Sequence, residues 1–203
     1  MNDSKEHIIK VACRLFLQKS FKEVTMKELV KSTGLSKGAF YHYFESKEQL
    51  FLEVIDFFFT KIMIHEYDKY TRESFYRFYH EYGNEIKNYS KEYLKLFIGE
   101  KSEEEFNMNY FTLAFDALKL FPEFRGKMVE EQHKEVKVWT TVIENARKKG
   151  EIKSVMSDEQ IAQLFIYTGD GVAMHMVLEG SKIEEMVSPF MNLWDKLYEQ
   201  IKA

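Results

Sequence analysis

The chain has 203 residues, enough to bury a continuous hydrophobic core without disulfides or a structural metal. Its single cysteine, Cys13, excludes an internal disulfide and a multi-thiolate metal site, so we expect a buried thiol in a reducing cytoplasm. The formal net charge of −4 by itself argues against a nucleic-acid partner. Residues 1–50, however, carry nine Lys or Arg against six Asp or Glu, so any polyanion is expected to meet only this part.

The amino terminus is charged and leads into no long apolar segment, so we expect no secretory signal. The longest apolar run, residues 54–64, is interrupted by Asp56 and Lys61 and is too short to cross a bilayer. We therefore expect a cytoplasmic protein with no membrane partner.

Helix start signals recur along the chain, whereas alternating β-type runs do not, and this pattern predicts an all-α fold. Four starts match the capping box, in which a side chain and the backbone satisfy each other's free N–H groups: Thr25 with Glu28, Ser46 with Gln49, Ser157 with Gln160, and Ser181 with Glu184. Helices are predicted at residues 5–19, 25–32, 36–43, from 46 onward, and near 72–97, 103–120, 123–149, 158–179 and 182–201.

The second and third predicted helices are joined by a short turn that contains Gly34, and this spacing predicts a helix-turn-helix unit. In the third helix, Phe40 and Phe44 are four residues apart and form an inward face. The outward face then carries donors for base edges and phosphates, and small residues that let the helix approach the bases. The candidate DNA-binding residues are Thr25, Ser36, Lys37, Gly38, Ala39, Tyr41, His42, Tyr43 and Lys47.

The stretch "FKEVTMKELVKSTGLSKGAFYHYFESKEQLFLEVI", residues 21–55, resembles the amino-terminal signature of the TetR family of transcriptional regulators. The resemblance covers about residues 5–55 and implies a two-fold dimer that binds a palindromic operator, usually as a repressor released by a small ligand. It implies a helix-turn-helix DNA-binding domain at residues 1–50 and a helical ligand-binding and dimerisation domain at 51–203. Glu45 departs from the pattern, because a basic or neutral residue would suit phosphate better, and we expect it to point away from the DNA backbone.

Residues 51–121 carry 19 of the 32 aromatic residues, which could either line a cavity for an apolar ligand or form a solid core. The resemblance places an effector in this body. The candidate ligand-binding residues, chosen because they fall on different predicted helices, are Phe97, Phe111, Phe115, Trp139, Ile143 and Tyr167.

The predicted helix at 158–179 is apolar nearly all round, so it needs packing partners on two faces. Gly169 and Gly171 each cost about 1 kcal/mol relative to alanine unless another group approaches closely. The last helix repeats its apolar residues near a 3.5-residue spacing, which suits an intermolecular bundle. We therefore expect a homodimer through these two helices, with interface residues Phe165, Gly169, Val172, Met176, Phe190, Leu193 and Leu197.

No catalytic constellation is visible in the sequence. Glu130 and His133 have the spacing of one di-iron ligand pair, but a second pair and two further carboxylates are missing. Asp170 and His175 are expected to be satisfied polar groups in a core or interface. We expect no enzyme activity, no cofactor and no metal.

The leading hypothesis is a homodimeric, ligand-responsive repressor of transcription that binds a double-stranded DNA operator. An activator, or a constitutive regulator with a solid core, stays open. A helical hydrophobic-ligand-binding protein that never binds DNA is the alternative from another class. Steep salt dependence of DNA binding would distinguish these classes, because each phosphate contact releases counterions.

Overall fold

The computed structural model describes residues 3–59, 66–98, 110–181, 185 and 187–203, with the side chains of 90–98 and 110 left out. The helices, in chain order, are α1 (Asp3–Gln18), α2 (Met26–Thr33), α3 (Lys37–Tyr41), α4 (Lys47–Phe58), α5 (Phe75–Ile98), α6 (Tyr110–Leu120), α7 (Pro122–Lys148), α8 (Asp158–Glu179) and α9 (Val187–Ile201). A short 3-10 helix lies at Tyr67–Lys69. Among the described residues no strand forms, which confirms the all-α prediction.

The full capping box is observed at Ser157 with Gln160, whereas at the other two described starts only the cap residue's side chain takes part. The Glu28 carboxylate pairs with Lys19 instead, and Gln49 Oε1 accepts from the Glu45 N–H. The side chains of Thr25, Ser46 and Ser157 each accept a hydrogen bond from the backbone N–H three residues on. Gly34 ends α2 with φ 69°, a left-handed conformation that glycine adopts without a Cβ clash. The box proposed from Ser181 includes Glu184, which lies outside the described residues.

The chain forms two compact units, one of residues 1–65 and 92–126 and one of residues 66–91 and 127–203. The division does not follow the predicted boundary at residue 50, because α4 packs with α1 in the first unit. Contacts between helices do not show which parts of the chain fold independently. The domain boundary at residue 50 therefore stays a prediction.

The first unit is built around α1, which packs against α2, α4 and α6. Its buried stripe includes Ile8, Ile9, Ala12 and Phe16, the spacing expected of a one-sided helix. Cys13 is also fully buried, as predicted, and burial raises the pKa of its thiol far above the usual range, so it is an inert packing group.

The second unit holds an aromatic core. The fully buried rings of Phe75, Phe78, Tyr79, Trp139 and Phe165 pack together with edge-to-face and tilted geometries. Much of the aromatic content that suggested a cavity is therefore packed core in this unit.

Gly169 on α8 lies under the indole ring of Trp194 on α9. A Cβ placed at Gly169 would lie 3.2 Å from Trp194 Cζ2, and the indole Nε1 donates a 2.8 Å hydrogen bond to the Phe165 carbonyl. The group that approaches Gly169 closely is therefore Trp194 on α9 of the same chain. A Cβ at Gly171 would meet open space.

The amino terminus of α5 is capped by a carboxylate from the α7–α8 turn. Glu151 accepts hydrogen bonds from the backbone N–H groups of Phe75 (3.1 Å) and Tyr76 (2.9 Å). It also accepts from the hydroxyls of Ser74 and Tyr198, each at 3.1 Å. Glu151 follows the end of α7 and binds both the start of α5 and a tyrosine near the end of α9. Its side chain therefore connects three helices.

Within the described part of the chain, α8 is the helix long and apolar enough to cross a bilayer, and 28% of its most apolar 18-residue window is buried inside the chain. Core and interface helices of proteins that never enter a membrane have the same length and composition. This single helix is therefore weak evidence for a membrane span.

Candidate nucleic-acid interface and ligand cleft

The helix-turn-helix unit is formed by α2, the turn at Gly34, and α3. Ser36 begins α3, and its hydroxyl accepts a 3.2 Å hydrogen bond from the Ala39 N–H. Phe40 and Phe44 are fully buried and anchor the back of α3 against the first unit. The predicted inward face is therefore the observed one.

The opposite face of α3 is open to solvent. Ser36, Lys37, Gly38, Ala39 and His42 are exposed. A Cβ at Gly38 would meet no heavy atom within 4 Å, so the backbone at this point is accessible to a large partner.

Two tyrosines border this face. Tyr41 is 36% exposed, with the Lys37 ammonium 5.8 Å from its ring centroid, and Tyr43 is half-buried. Thr25, the exposed cap of α2, accepts from the Glu28 N–H, which leaves its own O–H available to donate. Most of the predicted residues therefore lie on or next to α3, Thr25 lies at the start of α2, and their contact with DNA stays a prediction.

Lys47 has a role that the sequence did not suggest. Its ammonium donates to the carbonyls of Phe21 and Val24, both at 2.7 Å, and lies 4.2 Å from the centroid of the Phe21 ring. An ammonium has three donors, so one remains for a phosphate. Lys47 is therefore a brace of the loop between α1 and α2 as well as a candidate DNA contact.

The same loop is held from α6. The Phe21 N–H donates a 2.7 Å hydrogen bond to Asp116 Oδ2, and the Phe21 ring packs 4.7 Å from the ring of Phe51 on α4. These partners are far apart in sequence, so no local pattern could have indicated them. A shift of α6 within this unit would act directly on the loop that precedes the helix-turn-helix.

The second unit contains a half-open cleft of about 570 Å³ between α7 and α8. Its lining is mixed, with carboxylates, amides, threonine hydroxyls and apolar side chains: Gln132, His133, Glu135, Val136, Lys137, Thr140, Thr141, Glu159, Gln163, Ile166, Tyr167 and Asp170. Its volume lies within the usual range of small-molecule sites, about 300–1,000 Å³.

Of the predicted ligand-binding residues, Tyr167 lines this cleft. Trp139 and Ile143 do not, since both are fully buried in the aromatic core. Phe111 and Phe115 stack on each other along α6 in the first unit, with Phe115 58% exposed. The Phe97 side chain lies outside the described residues. Choosing apolar residues on different predicted helices therefore included two core positions, Trp139 and Ile143, because large apolar side chains fill interiors.

Glu135 is the chemically distinctive group of the cleft. The Tyr82 hydroxyl donates to its Oε1 at 3.0 Å, and the Tyr67 hydroxyl also bonds to the carboxyl. Burial raises the pKa of Glu135 to about 7, the charge of Asp170 adds to the rise, and the two tyrosine hydrogen bonds oppose it. In the sequence Glu135 is one of many helix glutamates, and only its tertiary neighbours set it apart.

The predicted interface residues fall into two groups. Phe165, Met176 and Phe190 are buried in the packing of their own chain, and Gly169 is covered by Trp194. Leu193 is 44% exposed, and Val172 and Leu197 are half-buried, so these three have apolar surface left for a partner.

Comparison with known proteins gives matches at two levels. A family model described as "Bacterial regulatory proteins, tetR family" matches residues 8–54. The HTH-type transcriptional regulator YerO of Bacillus subtilis is 47% identical over 58 residues, which are 29% of this chain and 20% of YerO. The HTH-type transcriptional repressor NemR of Escherichia coli is 43% identical over 47 residues, 23% of this chain and 24% of NemR.

Two solved structures align along nearly the full length. The reduced form of E. coli NemR gives a TM-score of 0.59 at 20% identity and covers 100% of this chain and 99% of its own. A TetR transcriptional regulator from Chloroflexus aurantiacus gives 0.66 at 18% identity, over 98% and 96%. The alignments with these two curated relatives span between a fifth and a quarter of those proteins. The residues matched by the family model, 8–54, include the helix-turn-helix unit.

Proposed function

We propose that the chain is a tetR-family regulator, the family whose model matches residues 8–54, and that it acts as a cytoplasmic, homodimeric transcriptional repressor. The dimer binds a palindromic DNA operator and is released by a small effector. The relatives are regulators of transcription, and the protein has no catalytic role in this proposal.

One observation carries the proposal. The α3 helix is anchored by two fully buried phenylalanines and turns an exposed face of short polar, small and basic residues to solvent. Small residues at Gly38 and Ala39 allow close backbone approach to base edges, and Lys37 supplies a donor for guanine or phosphate. A helix that faces only water would not require small, short polar and basic residues together on its exposed face.

The proposed mechanism is a shift between two populations of the dimer. DNA binding requires recognition helices that fit half-sites about 34–36 Å apart, and the effector stabilises a state in which they do not. The hydrogen bond between Asp116 on α6 and the Phe21 N–H supports this mechanism, since it links α6 to the loop before the helix-turn-helix. An effector that binds without changing operator affinity would contradict it.

Replacing Lys37 with alanine is expected to lower affinity for the operator by about 10- to 100-fold while leaving the melting temperature unchanged. The side chain is exposed, and a lost base or phosphate contact is worth about 1–3 kcal/mol. The operator is first selected from randomised duplex DNA, and its affinity is then titrated at two salt concentrations by fluorescence anisotropy.

Lys148→Ala is the matched control, because Lys148 is an exposed lysine at the end of α7. It should bind the operator like the unmodified protein. If no duplex is enriched with or without candidate effectors, and binding is weak and salt-independent, the DNA-binding proposal fails. The non-DNA helical ligand-binding protein would then be the better description.

Replacing Leu193 with glutamate is expected to convert the dimer into a monomer at micromolar concentration. Leu193 lies on α9 with 44% of its surface exposed, so a charge there leaves the chain's own core intact but must be desolvated in an apolar interface. Sedimentation velocity measures the change. Leu120→Glu on α6, at a position 40% exposed, is the control and should stay dimeric. A native protein that sediments as a monomer would remove the dimer proposal.

A further inference from the structure

We propose that the cleft between α7 and α8 binds an organic cation with an apolar or aromatic body, and that the Glu135 carboxylate is its counter-ion. The inference rests on the proposed effector-responsive function, because it gives the chemical class of the effector.

The cleft holds negative charge that the protein does not neutralise locally. Glu135, Glu159 and Asp170 line it, against Lys137 and His133 as the groups able to carry positive charge. In the described part of the chain, no Lys or Arg nitrogen lies within 4 Å of the Glu135 or Asp170 carboxylates. A cation entering the cleft would therefore gain a pairing that the chain leaves open.

Glu135 is held in place for such a contact. The Tyr82 and Tyr67 hydroxyls hydrogen-bond to its carboxyl, and the two tyrosine rings are stacked, with centroids 6.2 Å apart. These bonds restrict the carboxyl to one orientation while its charge stays unpaired. A partly desolvated carboxylate without a cationic partner lowers the stability of the fold, and such groups are common in binding sites.

The walls suit the apolar part of such a ligand. Tyr167 is 59% exposed and lines the cleft, as do Ile166 and Val136. An exposed tyrosine face attracts an alkylammonium group through its ring electrons as well as by apolar contact. The volume of about 570 Å³ accommodates a ligand of roughly drug size.

If Glu135 is the counter-ion, cation binding should depend on pH and release a proton. The pKa of Glu135 is about 7 in the free protein, and a bound cation favours the ionised form. Cation affinity should therefore rise about tenfold between pH 6 and pH 8, with proton release on binding at pH 6. The groups facing this carboxyl are Tyr82, Tyr67 and Asp170, with Lys137 and His133 also in the cleft.

The test is isothermal titration calorimetry of the full chain with benzyltrimethylammonium, tetrabutylammonium and dodecyltrimethylammonium. Benzyl alcohol and benzoate serve as the neutral and anionic probes. We expect at least one cation to bind at pH 8, and the neutral and anionic probes to bind at least tenfold more weakly. Titration at pH 6 in two buffers of different ionisation enthalpy measures the released proton.

Three variants assign the effect to Glu135. Glu135→Gln keeps the shape and one acceptor for Tyr82, and should lower cation affinity at least tenfold and abolish the pH dependence. Glu130→Gln, also on α7 but outside the cleft, should behave like the unmodified protein. His133→Gln should retain the pH dependence, which excludes His133 as its source.

The inference is overturned if none of the cations binds, if the neutral or anionic probe binds as well, or if Glu135→Gln binds the cation unchanged. These outcomes are separate from the operator experiment. A protein that binds its operator but no cation contradicts the cleft assignment alone. Cation binding that leaves operator affinity unchanged contradicts the effector mechanism, and the cleft assignment stands.

Discussion

Replacing Glu151 with alanine is expected to lower the free energy of unfolding by about 3 kcal/mol. The carboxylate accepts from two free N–H groups at the start of α5 and from the Ser74 and Tyr198 hydroxyls. Hydrogen bonds to a charged group are worth about 1.5–3 kcal/mol each, and part of this loss is recovered when water reaches the freed donors. The negative charge also complements the positive end of the α5 dipole.

Urea unfolding followed by circular dichroism, at one fixed protein concentration, measures the loss. Glu144→Ala is the matched control, because Glu144 is a solvent-exposed glutamate of α7 that pairs with Lys148 four residues on. Such a pair is worth about 0.3–0.5 kcal/mol. Equal losses in the two variants would show that the Glu151 cap does not join the helices in solution.

Replacing Lys47 with methionine is expected to lower the unfolding free energy by about 2–3 kcal/mol in the absence of DNA and to weaken operator binding as well. Methionine keeps most of the apolar stem but removes the ammonium that binds the Phe21 and Val24 carbonyls. Two charge-assisted hydrogen bonds and a cation–π contact are lost together. The loop between α1 and α2 then loses its attachment to α4.

The contrast with Lys37→Ala separates the two roles of these lysines. Thermal unfolding without DNA should detect the Lys47 change and not the Lys37 change, whereas both should weaken operator binding. If Lys47→Met alters operator affinity with an unchanged melting temperature, Lys47 is a phosphate contact only. Lys47→Arg should retain the charge and restore part of the stability.

The loop at residues 19–25 consequently has attachments on two sides, from Lys47 on α4 and from Asp116 on α6. The loop contributes backbone groups to both attachments, two carbonyls that accept from Lys47 and one N–H that donates to Asp116, so its conformation is sensitive to either helix. This arrangement supports the proposal that movement within the first unit changes the position of α3.

The helices could be predicted because the residues that begin and end them lie close together in the sequence. Thr25, Ser46 and Ser157 cap helices because their side chains bond to N–H groups three residues away, a relation that the sequence contains directly. The helix-turn-helix was predicted for the same reason, since Gly34, Ser36 and the spacing of Phe40 and Phe44 are local. The exposed face of α3 follows from that spacing.

Burial of the candidate ligand residues depends on which helices meet, and the sequence does not show this. Trp139 and Ile143 are core residues, and Gly169 accommodates Trp194 of its own chain. Of the predicted interface residues, Leu193, Val172 and Leu197 have apolar surface that their own chain does not cover. The composition of a helix shows that it needs partners, but not which partners it has.

The sequence by itself determined the helices, most of their caps and the polar face of α3, since each depends on residues within one or two turns of one another. Only the tertiary structure brings the Lys47 ammonium to the loop between α1 and α2 and the Glu151 carboxylate to the start of α5. It also provides the burial that raises the pKa of Glu135. Each of these depends on groups that are distant in the chain and adjacent in space. Charge and hydrogen bonding act through space, so identical side chains acquire different roles only when folding selects their neighbours.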